Sequence, residues 1–540
     1  MSNKLRILFC AESSHLGSGF GVYTKELLTR LHKTNKYEIA EFSCYRTINA
    51  PKIEPWKIYP NAVDKTDPEA DGYAHITANQ FGQWRFDLVL LDFRPDIVVD
   101  IRDVWMLSYQ HLSVLRPFYH WVIAPTLDSM PQNTDWINTY QGADTLLAHT
   151  KWAQENLHDL YPHLNITGVV SDSVDIETFK PMSISKSNIK SMLGIDPQTF
   201  VIGSVMRNQK RKLIPDVLGI VKNLCLKHPD KKILLYLHTT YPEKNGWDIP
   251  TLLLEYDIAD RVLFTYRCQV CKTHYCATYR GACSFCRGCE QYTATIASVS
   301  NPTSSTDLAM IYNVFDVYIQ YAICEGFGVP PVEAAACGIP VVTVDYGAMA
   351  EVGTNIGADL VPTQRIFREL ESNTNRAMPD NEICENHIEK YMDLSDLDRM
   401  YLAEKIRKKL TEAYSWDKTT ATFEGIFDSI KLTGLQGKWD SPKRMCNPKA
   451  VINKNENNRD FIYKIIDSIL DESHIKSTYM IQDIIRSLDF GYSLDANGPE
   501  PFDQSAAVKF LEIYMNNKMA MENIRVGELS PPAPAYLTYK

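Results

Sequence analysis

Nowhere in these 540 residues does an uninterrupted apolar run approach the roughly 18 needed to cross a bilayer as a helix. The opening stretch, Met1–Ser14, enters a strand pattern at once and has no charged-then-apolar layout of a secretory leader. Positive charge is in deficit too. A net charge of −10 and a pI near 5.8 argue against attraction of the whole surface to nucleic acid or anionic membrane, and leave only a local patch open. Cysteine is scattered except in one place: of 13, six fall between Cys268 and Cys289 at metal-ligand spacing. Without a leader, a disulfide framework is disfavoured. These absences predict a soluble, cytoplasmic protein without a membrane span. What is present is length and apolar content, 45% hydrophobic over 540 residues, enough for two ordinary cores and for three or four units.

The densest chemistry lies in Cys324–Val344, CEGFGVPPVEAAACGIPVVTV. Glu325 and Glu333 are separated by seven residues, with Gly326–Phe327–Gly328 and Pro330–Pro331 among them. Glycines let backbone N–H groups approach a ligand, and proline in a first helical turn removes only an N–H that would be orphaned. The pattern predicts a helix from about Pro331, ended by Gly338, and then a strand Val341–Val344. Glu333 is expected in the first turn. Unpaired N–H groups at a helix start attract phosphate, and a nearby carboxylate can accept hydrogen bonds from sugar hydroxyls. The plain alternative is a buried strand–helix–strand unit with one Glu as a cap and one on the surface.

This run closely resembles the E-x7-E signature of retaining glycosyltransferases of the family-4 type. The resemblance covers, with interruptions, residues 1 to about 430. It implies an α/β chain of the GT-B fold: two facing Rossmann-like domains with parallel sheets, here with a zinc-knuckle insertion and a helical C-terminal extension. It further implies that Glu325 contacts the donor sugar, that the backbone of Gly326, Phe327, Gly328 and Val329 contacts sugar and diphosphate, and that Glu333 holds the ribose. Asp345–Glu351 would be a loop near the same cleft.

Along the chain, the strand Leu5–Phe9 runs into Gly17–Ser18–Gly19–Phe20–Gly21 and a helix with Tyr23, Leu27, Leu28 and Leu31 on one face. Strand, glycine turn and helix open a nucleotide-type domain. Glu38 and Glu41 lie near the spacing of a dinucleotide-binding acid, which keeps an NAD reading in play. In the family resembled, Gly19 and Gly21 line the cleft by the donor diphosphate. Asp103 and Asp128 follow predicted strands, and in open parallel sheets ligands sit at carboxyl ends. Many relatives carry a catalytic-site His at a comparable strand end, and Asp128 stands there instead. It is the first candidate for the acceptor-side carboxylate, Asp103 the second; an N-cap or loop role is the alternative for each.

After the strand Phe200–Val205 comes Met206–Lys212, MRNQKRK, with four cations. A solvated charge run is the usual outcome for such a cluster. In the family resembled it faces the glutamate loop, so Arg207 and Lys212 are candidates to stabilise the departing diphosphate, with no catalytic divalent metal required.

Where relatives go from strand to helix, residues 267–292 intervene. Cys268-x2-Cys271 and Cys283-x2-Cys286 make two knuckles able to bring four thiolates around structural Zn2+; Cys276, Cys289 and His274 are further possible ligands, and Cys286-x2-Cys289 is an overlapping knuckle. Arg267, Lys272, Arg280 and Arg287 alternate there with Tyr266, Tyr275, Tyr279, Phe285 and Tyr292, a pattern able to grip phosphates and stack bases. A scaffold or dimer contact is the alternative.

The expected organisation is an acceptor-side domain, 1–181, and a nucleotide-sugar domain, 182–433, holding the insertion. A polar linker, 434–458, and a helical extension, 459–540, would follow. The expected function is transfer of a sugar from a nucleoside-diphosphate sugar to a hydroxyl on a glycan, a small molecule or a modified base in DNA. The contrasting class is a non-catalytic nucleic-acid-binding module on the same scaffold.

Overall fold

A computed structural model of the chain describes residues 4–439 apart from 67–69, 112, 114, 299 and 300. The expected extension at 459–540 and most of the linker lie outside the described residues.

The first sheet holds seven strands: β1 (Arg6–Glu12), β2 (Glu38–Thr47), β3 (Lys57–Ala62), β4 (Ile97–Ile101), β5 (His120–Ile123), β6 (Thr145–Ala148) and β7 (Ile166–Val169). All pairings are parallel and the order is β3-β2-β1-β4-β5-β6-β7. Strands β1 to β6 are buried on both faces, which explains their near-continuous apolar runs, whereas the edge strand β7 is only partly buried. Along β1, Leu8 and Cys10 enter one core and Ile7, Phe9 and Ala11 the other. The helix Gly19–Thr34 buries Tyr23, Leu27, Leu28 and Leu31, is capped by Ser18, and stops at Asn35 in the left-handed region.

The second sheet repeats this topology. It consists of β8 (Phe200–Val205), β9 (Ile233–His238), β10 (Val262–Cys268), β11 (His274–Ala277), β12 (Cys283–Cys286), β13 (Gln291–Ile296), β14 (Val317–Gln320), β15 (Val341–Val344) and β16 (Asp359–Val361). The order is β12-β13-β10-β9-β8-β14-β15-β16, with β11 also on β10. Strip away the antiparallel ribbon β11–β13 and a doubly wound order remains, reversing direction between β8 and β14 as the first sheet does between β1 and β4. A hairpin, β17 (Thr363–Arg368) and β18 (Asn375–Pro379), follows.

Helix Asp396–Ala413 packs on the second unit, and helix Trp416–Ser429 returns to the first, placing Trp416, Phe423 and Phe427 in the core with Ile7 and Phe9. Fully burying one such aromatic is worth about 1.5–3 kcal/mol, enough to hold the crossing. The beginning of the expected linker is anchored. Trp439 is buried in the first core, stacks near Phe118 and donates its Nε1–H to Pro95 O at 2.9 Å. One aromatic outweighs the polar composition around it.

Candidate active site

The two crossing points face each other, and their strand ends supply the charged groups. On the second sheet, the segment after β8 pairs with the segment after β14. Lys212 forms an antiparallel bridge with Ala322, Ile323 N–H donates to Arg211 O at 2.9 Å, and Leu213 N–H to Tyr321 O at 3.2 Å. This backbone zipper fixes the cations against Glu325. The buried Glu325 carboxylate meets Arg211 Nη1 at 2.7 Å, Lys212 Nζ at contact, and Gln320 Nε2 at 3.1 Å. Arg211 also donates to Cys324 O at 3.0 Å. Arg207, expected beside Lys212, turns away from Glu325 toward the first unit: it is half exposed, pairs with Glu243 at 2.8 Å, and lies near Glu12 on the first sheet, whose carboxyl burial raises despite the opposing pull of Ser18 and Arg207.

The glycine turn is required by space. A Cβ on Gly326 would lie 1.9 Å from Thr126 Cγ2 of the first unit, and Gly328 has φ +90° at the cap of helix Val329–Ala336. That helix starts two residues earlier than expected, so Glu333 sits in the second turn. It is partly buried, accepts from Tyr312 Oη–H at 2.7 Å, and burial pushes it up to about 7. Asp345–Glu351 is not a loop: helix Gly347–Ile356 begins within it, and Glu351 accepts from Lys151 N–H at 3.0 Å and Trp152 N–H at 2.5 Å, capping a helix of the first unit.

On the first sheet, Gly21 is confined by Leu16 O and Ser13 O, whereas a Cβ on Gly19 would meet nothing within 4 Å. Neither has positive φ, so the motif serves close packing and access rather than a left-handed turn. Glu41 is fully buried and accepts from Ser14, Ser43 and Trp56, and Glu38 stands at the starting end of β2 beside Arg6 at 3.4 Å, away from the carboxyl ends of the strands, which leaves the dinucleotide reading without its ribose acid. Asp128 is engaged across the interface, with Arg376 at 3.0 Å, Ser129 Oγ at 2.8 Å and Cys324 Sγ at 3.2 Å. Burial pushes its carboxyl up, but Arg376 and the hydrogen bonds from Ser129 and Cys324 together hold it below the usual range. Arg376 comes from β18, whose neighbour Asn375 donates to Met130 O at 3.1 Å. Asp103 carries no such ion pair among the described residues. Burial first, then Asp128, raise it to about 6, with Arg211 of the opposite unit pulling the other way. A strand-end histidine exists one strand over from Asp128: His149, after β6, is buried between Asp172 at 2.8 Å and Ala124 O at 3.2 Å, closed to a ligand.

In the insertion, Cys268, Cys271, Cys286 and Cys289 bring their Sγ atoms within 4.8 Å of one another. Cys283 does not join them. It lies in β12 facing away, its Sγ–H donating to Tyr292 O at 3.1 Å, and Cys289 takes its place. Sequence reasoning thus missed Arg376, left Arg211 undistinguished within the cation run, and ranked Cys283 above Cys289, which it held only as a further possible ligand.

The family model described as "Glycosyl transferases group 1" matches residues 298–390, which include Glu325, Gly326, Phe327, Gly328, Val329 and Glu333. The D-inositol 3-phosphate glycosyltransferase of Mycobacterium sp. (strain KMS) is 28% identical over 214 residues, 38% of this chain and 38% of that protein. One from Catenulispora acidiphila is 25% identical over 210 residues, covering 38% and 42%. The chain therefore spans well under half the length of these curated relatives. Sucrose-phosphate synthase of Thermosynechococcus elongatus superposes with TM-score 0.56 at 15% identity, covering 79% of this chain and 98% of its own. Anabaena HepE in complex with UDP and glucose gives 0.53 at 14% identity, covering 79% and 100%. The fold is GT-B: two facing α/β units with parallel sheets.

Proposed function

We propose that this chain is a retaining glycosyltransferase that moves a sugar from a nucleoside-diphosphate sugar to an acceptor hydroxyl. The observation that carries this reading is the Glu325 carboxylate held by Arg211, Lys212 and Gln320 beside a glycine turn that opens a helix, at the crossing point of one sheet and opposite that of the other. Departure of a diphosphate concentrates negative charge on its oxygens. Arg207, Arg211, Lys212 and the helix-start N–H groups after Gly328 stabilise that charge more in the transition state than in the ground state. Fixed cations perform this without a divalent metal at the transfer site. Glu325 orients sugar hydroxyls, Glu333 the ribose, and Gly19 leaves room for the diphosphate. In front-face transfer the acceptor oxygen bonds to the anomeric carbon on the face from which the diphosphate oxygen leaves, which gives retention, and the departing oxygen takes the acceptor proton. Asp103, not committed to an ion pair, orients the acceptor hydroxyl; Asp128, through Arg376, positions the two units. The matched family model and HepE with bound UDP and glucose support a nucleotide-sugar donor. Zinc belongs to this reading as a structural ion of the insertion, apart from the transfer.

For the acceptor, one observation favours a hydroxylated base in a nucleic acid such as DNA. Lys272, Arg280 and Arg287 are exposed without an ion pair among the described residues, next to the exposed ring pair Phe285–Tyr292 at 5.4 Å. The relatives' name, by contrast, specifies a polyol phosphate. A panel of UDP-, GDP- and ADP-sugars against hydroxymethylated oligonucleotides, inositol phosphates and glycans, read by mass spectrometry, tests both. Transfer with the donor's anomeric configuration kept in the product is expected. An inverted linkage overturns the mechanism, and failure of every donor to bind overturns the function. If an oligonucleotide is the acceptor, Arg280→Ala with Arg287→Ala raises its KM; an unchanged KM removes the insertion from acceptor binding.

A further inference from the structure

The insertion repeats one local geometry twice, and the repeat decides which thiolates act together. At the end of β10, the N–H groups of Val270 and Cys271 both point at Cys268 Sγ, each at 3.3 Å. At the end of β12, the N–H groups of Gly288 and Cys289 point in the same way at Cys286 Sγ. Each turn then exits through a residue in the left-handed region, Lys272 with φ +61° and Glu290 with φ +56°. Gly288 is confined against Cys271 Sγ at 3.2 Å from where a Cβ would stand, so the two turns are docked face to face. The cross-turn sulfur distances, Cys268 to Cys289 and Cys271 to Cys286, are both 3.5 Å. That is far beyond a disulfide bond, and near the edge of about 3.8 Å of a tetrahedron whose metal–sulfur arms are about 2.3 Å. The other nearby ligand types are engaged elsewhere: Cys283 with Tyr292 O, Cys276 with Leu193 O at 3.1 Å, and His274 with Asp307 at 3.5 Å.

We infer that Cys268, Cys271, Cys286 and Cys289 form a closed tetrathiolate site for one Zn2+ that staples the ribbon β11–β13 to the edge of the second sheet. Four protein ligands leave no open position, so the ion is structural. Cys268 and Cys286 are buried in the same core as Ile233, Leu235 and Phe264, so the staple is part of that unit's packing rather than an appendage. It goes beyond the proposed transfer reaction and stands or falls without it.

The test uses the full chain purified without chelator. Native mass spectrometry and elemental analysis are expected to give one zinc per chain. Cobalt exchanged into the site is expected to give the intense sulfur-to-metal charge-transfer absorption of a four-thiolate tetrahedron. Cys283→Ser is expected to keep full zinc content, and Cys289→Ser to lose metal to a chromogenic chelator at least tenfold faster. Should Cys289→Ser not fold, Cys283→Ser still decides: loss of zinc from it overturns the ligand set. Iron in place of zinc, or four freely titrating thiols in a zinc-replete preparation, overturns the site.

Discussion

The two sheets share a strand order and a reversal point, yet the charges gathered there are arranged in opposite ways. On the second sheet Glu325 is buried and fully matched by Arg211, Lys212 and Gln320, and the loops carrying them are zipped together. On the first sheet Asp103 is half-buried near another carboxylate and pushed up to about 6. Under the proposed function, the difference means that one wall is organised in advance for a fixed, highly charged donor, while the other keeps an uncompensated group for a hydroxyl that arrives later. Charge balance favours stability, and its lack at a cleft marks a site that waits for a partner.

The largest effect should come from unbalancing the matched wall. Lys212→Met leaves Glu325 as a buried charge short of one partner, and breaking a buried pair costs about 3–5 kcal/mol. Thermal denaturation should show a substantial drop, much of it recovered in Lys212→Met with Glu325→Gln, because both charges are then gone. Both variants should lose donor turnover. Arg207→Ala is the control, since its pair with Glu243 is half exposed and worth at most about 1 kcal/mol. Its melting should barely move while turnover falls roughly 100-fold. Equal destabilisation by both would break the contrast.

Next in size is the contact that closes the walls together. Gly326→Ala places a methyl group against Thr126, and overpacking of this kind costs about 1–3 kcal/mol. Because the clash lies between the units, it should appear as a raised donor KM and lowered kcat more than as a lower melting temperature. Thr126→Ser removes the clashing Cγ2 and should restore part of the activity. No rescue would mean that the closed contact is not the active arrangement.

The unmatched wall should respond with the opposite sign. Asp103 has a folded value of about 6, above the roughly 3.9 of an unfolded chain. A carboxyl raised in this way is tolerated below about pH 4 and costs stability progressively as pH rises to 6. Asp103→Asn should therefore stabilise the protein by about 1–3 kcal/mol at pH 8, have no effect near pH 4, and lower transfer roughly 100-fold. The acceptor kcat/KM of the unaltered chain should fall tenfold per unit below pH 6, and that limb should vanish in the variant. A destabilised Asp103→Asn would assign the group to structure instead.

How much of this could be read from residues alone depends on how local each feature is. The glutamate signature, the glycine turn and the strand-end aspartates are set by neighbours within ten or so positions, and periodicity exposes them. Arg376 reaches Asp128 from a late hairpin in the other unit, and nothing short of the fold pairs them. Arg211 was visible within a four-cation run, but its direction depends on the zipper between two loops distant in sequence. Cys289 did carry a signal: Gly288 before it leaves room for the facing turn, with Cys271 Sγ 3.2 Å from where a Cβ would stand, whereas Cys283-Ser-Phe-Cys286 is an extended strand. Trp439 was hidden by its polar surroundings although its own side chain is core-forming.

The smallest expected effect lies at the edge of the matched wall, where Glu333 has Tyr312 as its hydrogen-bond donor and burial raises it to about 7. Below pH 7 it is neutral and loses acceptor capacity for ribose hydroxyls, so donor KM should rise severalfold as pH falls from 8 to 6, with little change in kcat. Its stability contribution runs the other way, declining as pH climbs from about 4.3 to 7, because the folded chain favours the protonated acid. Tyr312→Phe removes a hydrogen bond that favours the ionised form, and the KM midpoint should move up by roughly one pH unit. Glu333→Gln should flatten both dependences. If Glu333→Gln instead leaves the donor KM profile intact, the group is a core acid satisfied by Tyr312, and Glu325 serves the donor without it.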